Sequence, residues 1–277
     1  FISNFGEFIC VNSKFISSEG AVRKLTSENF CPAKVGDVLM VMSDLPNGKA
    51  LAKTFLADRE WYYAVNQRIC ALSPKDSVSS TYLYYTLNRN PYFLKFNDGV
   101  NQTNLSNDVF NKCPVLLPST KTEQERIGNA LSDADKLIKS LERLISKKHQ
   151  IKTGVMDELL TGMKRLPGFR GKWAKKKLGD VLKICHGRSQ YGVEDPSGDY
   201  PILATGGQIG WANKFLYDRP SVLIGRKGTI DKPQFMKTPF WTVDTLFYSK
   251  IYQPNNAKYL FYQFCLIPWR QHNEASG

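Results

Sequence analysis

The stretch that decides the fold is residues 117–168, which read LPSTKTEQERIGNALSDADKLIKSLERLISKKHQIKTGVMDELLTGMKRLPG. Thr120 and Glu123 have the spacing of a capping box, in which two side chains bond the free backbone amides at a helix start. Gly162 is typical of a helix end, and the Pro167–Gly168 pair stops a helix. The stretch therefore predicts a long spacer helix over residues 118–165, in which about 40 helical residues would span roughly 60 Å.

Apolar residues recur along this helix at alternating steps of four and three, which is the heptad spacing of a coiled coil. A stripe of this length requires a partner, because a bare apolar seam promotes aggregation. The alternative is a core helix of one globular domain, but the opposite face carries too many charges. The pattern favours half of an antiparallel coiled coil, whose partner lies on another segment or a second chain. This helix seam consists of Ile127, Leu131, Ile138, Leu141 and Ile145, with Ala134 completing the spacing.

Three sequence blocks occur in the same order on both sides of the helix, and they predict a strand, a second strand region and a short aromatic helix. Such a long repeat indicates duplicated domains, not a solenoid. We expect an α+β fold with two small domains of twisted mixed strands and short helices. The first would occupy residues 1–117 without its N-terminal part, and the second residues 166–277 without its C-terminal part. The paired blocks are Gly36-Asp37-Val38-Leu39-Met40 with Pro220-Ser221-Val222-Leu223-Ile224, Ala64-Val65-Asn66-Gln67 with Thr242-Val243-Asp244-Thr245, and Tyr82–Leu87 with Tyr259–Phe264.

The composition describes a basic chain with enough apolar residues to fold. Of the 277 residues, 42% are hydrophobic, which argues against disorder, and the formal net charge is +13. Such a charge favours polyanionic partners, although a basic protein without one is the alternative. Six scattered cysteines without a C-x-x-C pair fit reduced thiols in the cytosol. With only three histidines, none spaced to bind a metal with another, we expect no metal site.

Several polar loops contain side chains suited to reading DNA. Arg can bind guanine through two hydrogen bonds, Gln can bind adenine in the same way, and Lys can bind phosphate. Ordinary turns with solvated charges are the alternative for each of them. The candidates are Arg226 and Lys227 in the basic tip Gly225–Gly228, Thr205 and Gln208 in one polar loop, Arg188 and Gln190 in a second, Lys49 in the turn Asn47-Gly48-Lys49, and Asn101 and Gln102 in a run of amide and hydroxyl groups.

Catalytic motifs are missing or incomplete. Asn90-Pro91-Tyr92-Phe93 is similar to a loop of adenine methyltransferases, but it lacks one proline. There is no G-x-x-x-x-G-K-[ST] phosphate loop, no dinucleotide fingerprint and no readable Ser/His/Asp or Cys/His pairing. We expect no catalytic residue. A stand-alone nuclease or methyltransferase remains the alternative, because scattered acidic residues do not exclude a nuclease.

The motifs that flank the helix, taken in order, match one known family. Single motifs are weak, but their order and spacing over nearly the whole chain resemble the specificity subunit of type I restriction-modification systems. The second conserved helix of that family is absent from the sequence. The matching stretches are Leu116-Leu117-Pro118 with Glu123-Gln124 and Ile127, Leu159-Leu160-Thr161-Gly162, Trp173 with Lys177-Leu178-Gly179-Asp180-Val181, and Val222–Gly228.

The resemblance implies sequence-specific binding of double-stranded DNA. Each recognition domain would read one half of a split target in the major groove, and the helix would set the unread gap between the halves. The chain itself would be non-catalytic and without a cofactor. A partner modification subunit would methylate adenine with S-adenosylmethionine, and a restriction subunit would use ATP and Mg, all in a prokaryotic cytoplasm. Two alternatives remain, a structural or regulatory adaptor and a half-subunit that forms a homodimer through the helix seam.

Overall fold

The protein is described here by a computed structural model, which covers residues 2–3, 6–46, 48–226 and 229–272. It divides into two compact units, Phe1–Leu144 (unit 1) and Ile145–Gly277 (unit 2). Each unit combines small twisted sheets with short helices, so the predicted α+β class is confirmed. Within the described ranges, no helix has both the length and the apolarity needed to cross a membrane.

The described residues of unit 1 form nine short strands in three small sheets. The first has the order β1-β3-β2-β7, in which β2 and β7 run parallel, and the second has the order β6-β4-β8. Strands β5 and β9 pair separately. The elements are β1 (Ile2–Ser3), β2 (Phe8–Val11), α1 (Ser13–Ser17), β3 (Leu25–Thr26), β4 (Val38–Val41), β5 (Ser43–Asp44), β6 (Thr54–Leu56), β7 (Tyr63–Val65), β8 (Ile69–Leu72), α2 (Ser80–Leu87), α3 (Pro91–Leu94), β9 (Thr103–Asn104) and α4 (Asn107–Asn111). The long helix α5 (Lys121–Leu160) begins in unit 1 and ends in unit 2.

In the part of unit 2 that the structure describes, seven strands form two sheets, of order β10-β16-β13-β14 and β12-β11-β15. In the second sheet β11 and β15 run parallel, and β11 and β12 form a hairpin. The elements are a 3₁₀ helix (Leu178–Asp180), β10 (Leu182–Cys185), β11 (Tyr200–Ala204), β12 (Gly207–Ala212), β13 (Ser221–Gly225), β14 (Gln234–Met236), β15 (Trp241–Thr242), β16 (Leu246–Ile251), α6 (Ala257–Leu266) and a second 3₁₀ helix (Trp269–His272).

The central strand pairings of the two units correspond. In unit 1, β4 lies between β6 and β8, and in unit 2, β13 lies between β14 and β16. The parallel pair β2–β7 corresponds to β11–β15, and α2 corresponds to α6. Both helices begin with a capping side chain, Ser79 and Asn256. The sequence repeat therefore has a structural counterpart.

The middle block of the repeat is corrected by one residue. The sequence repeat aligns Val65 with Val243. The parallel strand pairs Val11–Val65 and Leu203–Thr242 instead make Val65 the counterpart of Thr242. A one-residue shift moves every side chain of a strand to its other face. Ile69 is consequently the counterpart of Leu246, since both are buried at the start of their strand.

The long helix α5 is observed over Lys121–Leu160, close to the predicted span. The Thr120 side chain accepts a hydrogen bond from the Glu123 backbone N–H at 3.3 Å, which is half of the expected capping box. Beyond the last turn, Gly162 has a φ of +79°, the left-handed conformation that ends many helices. Most of the helix surface is exposed, and only Gln124 and Gly128 are buried.

The first turns of α5 are attached to unit 1 by polar contacts. The Oε1 atom of Gln124 accepts a hydrogen bond from the Ser79 backbone N–H at 2.9 Å, and its Nε2 donates to the Pro118 carbonyl oxygen at 2.9 Å. Farther along, the Tyr85 hydroxyl donates to Asp135 at 2.7 Å. Within this unit the start of the helix is thus fixed against α2.

Candidate nucleic-acid interface

Three of the predicted DNA-reading residues meet at one edge of unit 2, where several strands end. Arg226 follows β13, and its backbone N–H donates to the Thr245 carbonyl oxygen at 2.9 Å. Thr205 follows β11, and its carbonyl oxygen accepts a hydrogen bond from the Thr229 hydroxyl at 3.0 Å. The Arg188 backbone N–H donates to the Thr242 carbonyl oxygen at 2.8 Å. We call this group, Arg188, Thr205, Arg226 and residues 243–245, the loop edge of unit 2.

The backbone around Arg188 is held closely against β15. The indole N–H of Trp241 donates to the Arg188 carbonyl oxygen at 3.0 Å. Gly187 permits this approach, because a Cβ atom there would overlap the Val243 carbonyl oxygen. The Arg188 side chain is exposed. A hydrogen-bonded backbone with an exposed guanidinium suits recognition of an external anion or base.

Two further predicted residues of unit 2 have surroundings that differ from those expected. Gln208 was expected in a loop, but it lies on β12 opposite Leu203. The hairpin turn is shorter than the run of polar and glycine residues indicated. Its exposed amide donates to the Gly210 carbonyl oxygen at 3.2 Å. Gln190 is half-buried, and its carbonyl oxygen accepts hydrogen bonds from the Val193 and Glu194 backbone amides. Lys227 lies outside the described residues.

The unit 1 candidates lie beside the end of β4. The Gln102 side chain donates to the Ser43 hydroxyl at 2.9 Å, and Ser43 pairs with Asn104 across β5 and β9. Asn101 and Gln102 are exposed. Lys49 is also exposed, in the loop that connects β5 with β6. This loop corresponds to the one that follows Arg226 in unit 2, because each connects the central strand region to β6 or β14.

Two acidic side chains beside these candidates bond to their own loops. Asp44 accepts hydrogen bonds from the Ala50 and Leu51 backbone amides at 2.8 and 3.0 Å, which fixes the Lys49 loop. Asp98 accepts bonds from the Asn101 backbone N–H at 2.8 Å and the Asn101 side chain at 2.8 Å. These bonds lower the pKa of Asp98 to about 2. Both carboxylates order turns that present neutral or basic side chains.

The structure also places Gln67 and Arg68 at the loop edge of unit 1, which the sequence interpretation missed. They lie between β7 and β8, and both are exposed. The Arg68 carbonyl oxygen accepts a hydrogen bond from the Met42 backbone N–H at 3.0 Å. The sequence repeat could have identified both residues, but the one-residue misalignment matched Arg68 with the buried Leu246. We call Met42, residues 66–68 and Gln102 the loop edge of unit 1.

The five residues of the helix seam are all partly exposed. Their exposed fractions are 38% for Ile127, 43% for Leu131, 53% for Ile138, 48% for Leu141 and 57% for Ile145. Apolar side chains of this size are rarely left in a continuous stripe on a soluble surface. The seam therefore has the chemistry of a binding surface for another helix.

The described residues do not bring together a metal centre, since no group of three or more His, Cys, Asp or Glu side chains is placed to hold an ion there. What the two loop edges offer is hydrogen bonding and positive charge on a hydrogen-bonded backbone. Such a surface is suited to binding.

The chain is similar in fold to the type I restriction-modification S subunit from M. genitalium, with a TM-score of 0.66, 17% identity, and coverage of 98% of this chain and 71% of that one. It also matches the HsdS subunit from Thermoanaerobacter tengcongensis, with a TM-score of 0.45, 13% identity, and coverage of 93% and 72%. A third match, from a structural study of complex assembly and conformational transition of the type I R-M system, has a TM-score of 0.49, 16% identity, and coverage of 95% and 74%.

The sequence profile of one family matches residues 5–151, more than half of the chain. That match extends from the start of unit 1 into the last quarter of α5, and the family is a non-catalytic, targeting one. The resemblance that the motifs indicated is thereby confirmed: the chain belongs to the type I restriction modification DNA specificity domain family.

Proposed function

We propose that this chain reads a split DNA target for a type I restriction-modification complex, with each unit reading one half. The observation that carries the proposal is the repeated loop edge, which presents polar and basic side chains at the same strand ends in two copies of one fold. The formal net charge of +13 supports attraction to the DNA backbone.

The chemistry of the loop edges suits readout in the major groove. Exposed Arg226 and Arg188 are matched to guanine, and exposed Gln208 and Gln102 to adenine. Asp244, also exposed at the loop edge of unit 2, is matched to the cytosine amino group. Lys49, Lys227 and Asn101 supply phosphate or base contacts in the proposal, and Thr205 and Gln190 hold or extend the loops.

The remaining chemistry of the complex belongs to partner subunits in this proposal. A modification subunit transfers a methyl group to adenine from S-adenosylmethionine, and a restriction subunit uses ATP and Mg. The chain itself contributes DNA binding and holds no cofactor. The location proposed for the complex is the prokaryotic cytoplasm.

The helix seam supports a second candidate, a half-subunit that dimerises through α5. Its exposed apolar residues are spaced for helix pairing, and a second copy of the chain offers the same seam. A dimer of identical subunits is symmetric, so it presents the same pair of loop edges twice.

One experiment tests both candidates. The chain is co-expressed with the modification subunit encoded beside it, and methylated adenines are mapped in the host DNA. Two short defined sequences around a fixed gap are expected for the split-target reader, whereas a palindromic motif identifies the symmetric dimer. Methylation without a defined sequence, or at sites unchanged by exchange of this chain for another specificity subunit, would contradict both.

A further inference from the structure

Each loop edge contains an equivalent backbone hydrogen bond, and an arginine is one of the two bonded residues in each unit. In unit 1 the Met42 N–H donates to the Arg68 carbonyl oxygen at 3.0 Å. In unit 2 the Arg226 N–H donates to the Thr245 carbonyl oxygen at 2.9 Å. The pairs are equivalent, because Val41 faces Ile69 one step inside the first pair and Gly225 faces Leu246 one step inside the second.

The two arginines come from opposite members of this pair. Arg226 follows the central strand β13, whereas Arg68 precedes the neighbouring strand β8. Residues directly opposite each other across an antiparallel pair have their Cβ atoms about 5 Å apart on the same face of the sheet. The arginine side chain spans more than that distance. Arg68 and Arg226 can therefore bring a guanidinium to the same place in their respective units.

Neither guanidinium has a hydrogen-bond or ion-pair partner within the part of the chain that the structure describes. Both side chains are exposed, and neither forms an ion pair with a described carboxylate. Arg89 of unit 1 is different, because its Nη1 donates to the Leu51 carbonyl oxygen at 3.0 Å and thus supports the fold. Arg68 has no comparable structural duty there, which leaves its donors available for an external acceptor.

The other members of the two pairs are poorer readers of guanine. Met42 is half-buried and has no donor on its side chain, while Thr245 is exposed but offers a single hydroxyl. Each unit thus has one guanidinium at this position. The immediate neighbour of Arg68 is Gln67, whose exposed amide adds a group suited to adenine.

We propose that Arg68 is the specificity-determining arginine of unit 1, that it contacts guanine in one half of the target, and that Arg226 does the same for the other half. This inference rests on the proposed function. Loss of a bidentate arginine–guanine contact is expected to reduce the preference for guanine at one position by roughly 5- to 150-fold. Positions in the opposite half keep their preference.

The test is selection of bound sequences from a randomised duplex pool by the chain in complex with its modification subunit. Wild type, Arg68→Ala, Arg68→Lys and Arg226→Ala are compared. Lys75→Ala is the matched control, because Lys75 is an exposed cation of unit 1 beyond the opposite end of β8. Far-UV circular dichroism and Tm establish that each variant is folded.

The expected result is loss of one guanine from one half of the motif with Arg68→Ala, and from the other half with Arg226→Ala. Arg68→Lys keeps the charge but loses the rigid planar fork of donors, so it is expected to weaken the preference for the same guanine and retain binding to scrambled duplexes. Lys75→Ala leaves the motif unchanged.

Two results overturn the role of Arg68 while the proposed function stands. The first is a split motif that is identical in wild type and Arg68→Ala. The second is an equal loss of affinity on target and scrambled duplexes, which identifies a phosphate contact. If the wild-type complex enriches no split sequence, the proposed function fails first, and the two failures are thereby distinguished.

Discussion

Gln124 on α5 accepts a hydrogen bond from the backbone N–H of Ser79, the residue that caps α2, over 2.9 Å. Gln124 is 1% exposed, so this contact is sheltered from water. The same amide also donates to the Pro118 carbonyl oxygen at 2.9 Å. A buried side chain thus connects the helix start, the preceding turn and a neighbouring helix within unit 1.

Replacing Gln124 by Ala is expected to destabilise unit 1 by about 1–3 kcal/mol, because the Ser79 N–H would be left buried without an acceptor. The free energy of unfolding from urea denaturation measures the change. Glu125→Ala is the control, since Glu125 is the exposed neighbour on the same helix. Equal stability of the two variants would show that the buried bonds contribute nothing.

The two glycines in α5 are expected to respond in opposite directions to larger residues. A Cβ atom at Gly128 would lie 3.1 Å from the Thr81 side chain, whereas at Gly154 nothing lies within 4 Å. Gly128→Leu is therefore expected to cost about 1–3 kcal/mol through overpacking. Gly154→Ala is expected to stabilise the helix by about 0.5–1 kcal/mol. Thermal unfolding measures both, and a lower Tm for Gly154→Ala would contradict this reading of the helix surface.

The helix seam is expected to control association of the chain. If it pairs with a second copy, Ile138→Asp combined with Leu141→Asp should convert a dimer to a monomer, because four buried carboxylates would meet in the dimer. Sedimentation equilibrium measures the mass. Arg143→Asp with Lys147→Asp, on the opposite face, is the control for added negative charge. A mass that is unaffected by the seam variant would exclude pairing of α5 with a second copy.

Arg226→Ala is expected to weaken binding to the target by about 1–3 kcal/mol while binding to unrelated DNA changes little. The reason is that an arginine bound to a base edge reads sequence, whereas one bound to phosphate does not. Titration of both duplexes at several salt concentrations measures the difference. Parallel losses on the two duplexes, with a shallower salt dependence, would make Arg226 a phosphate contact.

Asp98 is expected to give a pH-dependent signal in the turn that precedes Gln102. Its pKa is lowered from 3.8 to about 2 by the bonds from Asn101 and Val100. A lowered pKa means that these bonds stabilise the turn above about pH 4 and are lost as the pH falls through about 2. The amide resonances of Val100 and Asn101 in an acid titration are expected to report that midpoint. With Asp98→Asn the transition should disappear, and a midpoint near 4 would contradict the bonded turn.

Much of the fold was predictable from the sequence because the relevant patterns are local. The capping pair Thr120–Glu123 and the heptad spacing indicated α5 to within a few residues of its ends. The apolar run that begins at Val38 and the one that begins at Val222 indicated the two central strands. Helix periodicity and buried strands leave direct marks in the order of residues.

The candidate site was predicted less completely, because strand register depends on partners that are distant in sequence. Arg188 and Arg226 are placed by backbone hydrogen bonds to Thr242 and Thr245, and Thr205 by a bond from the Thr229 hydroxyl, which no local pattern reveals. Arg68 was missed as a candidate because the repeat was aligned by similar residue types and not by equivalent strand positions. Gln208 was placed in a loop because its neighbours are glycines, although pairing with Leu203 makes it part of a strand.

Main-chain atoms alone form the bond between Met42 and Arg68 in unit 1 and the equivalent bond between Arg226 and Thr245 in unit 2. The geometry of these bonds therefore does not depend on which side chains the exposed residues of each pair carry. A library of substitutions at Arg68, Arg226 and Thr245 should leave the scaffold folded while the recognised bases change. Under the proposed function, the same separation of support from recognition makes new target preferences accessible in single mutational steps, without repacking either core.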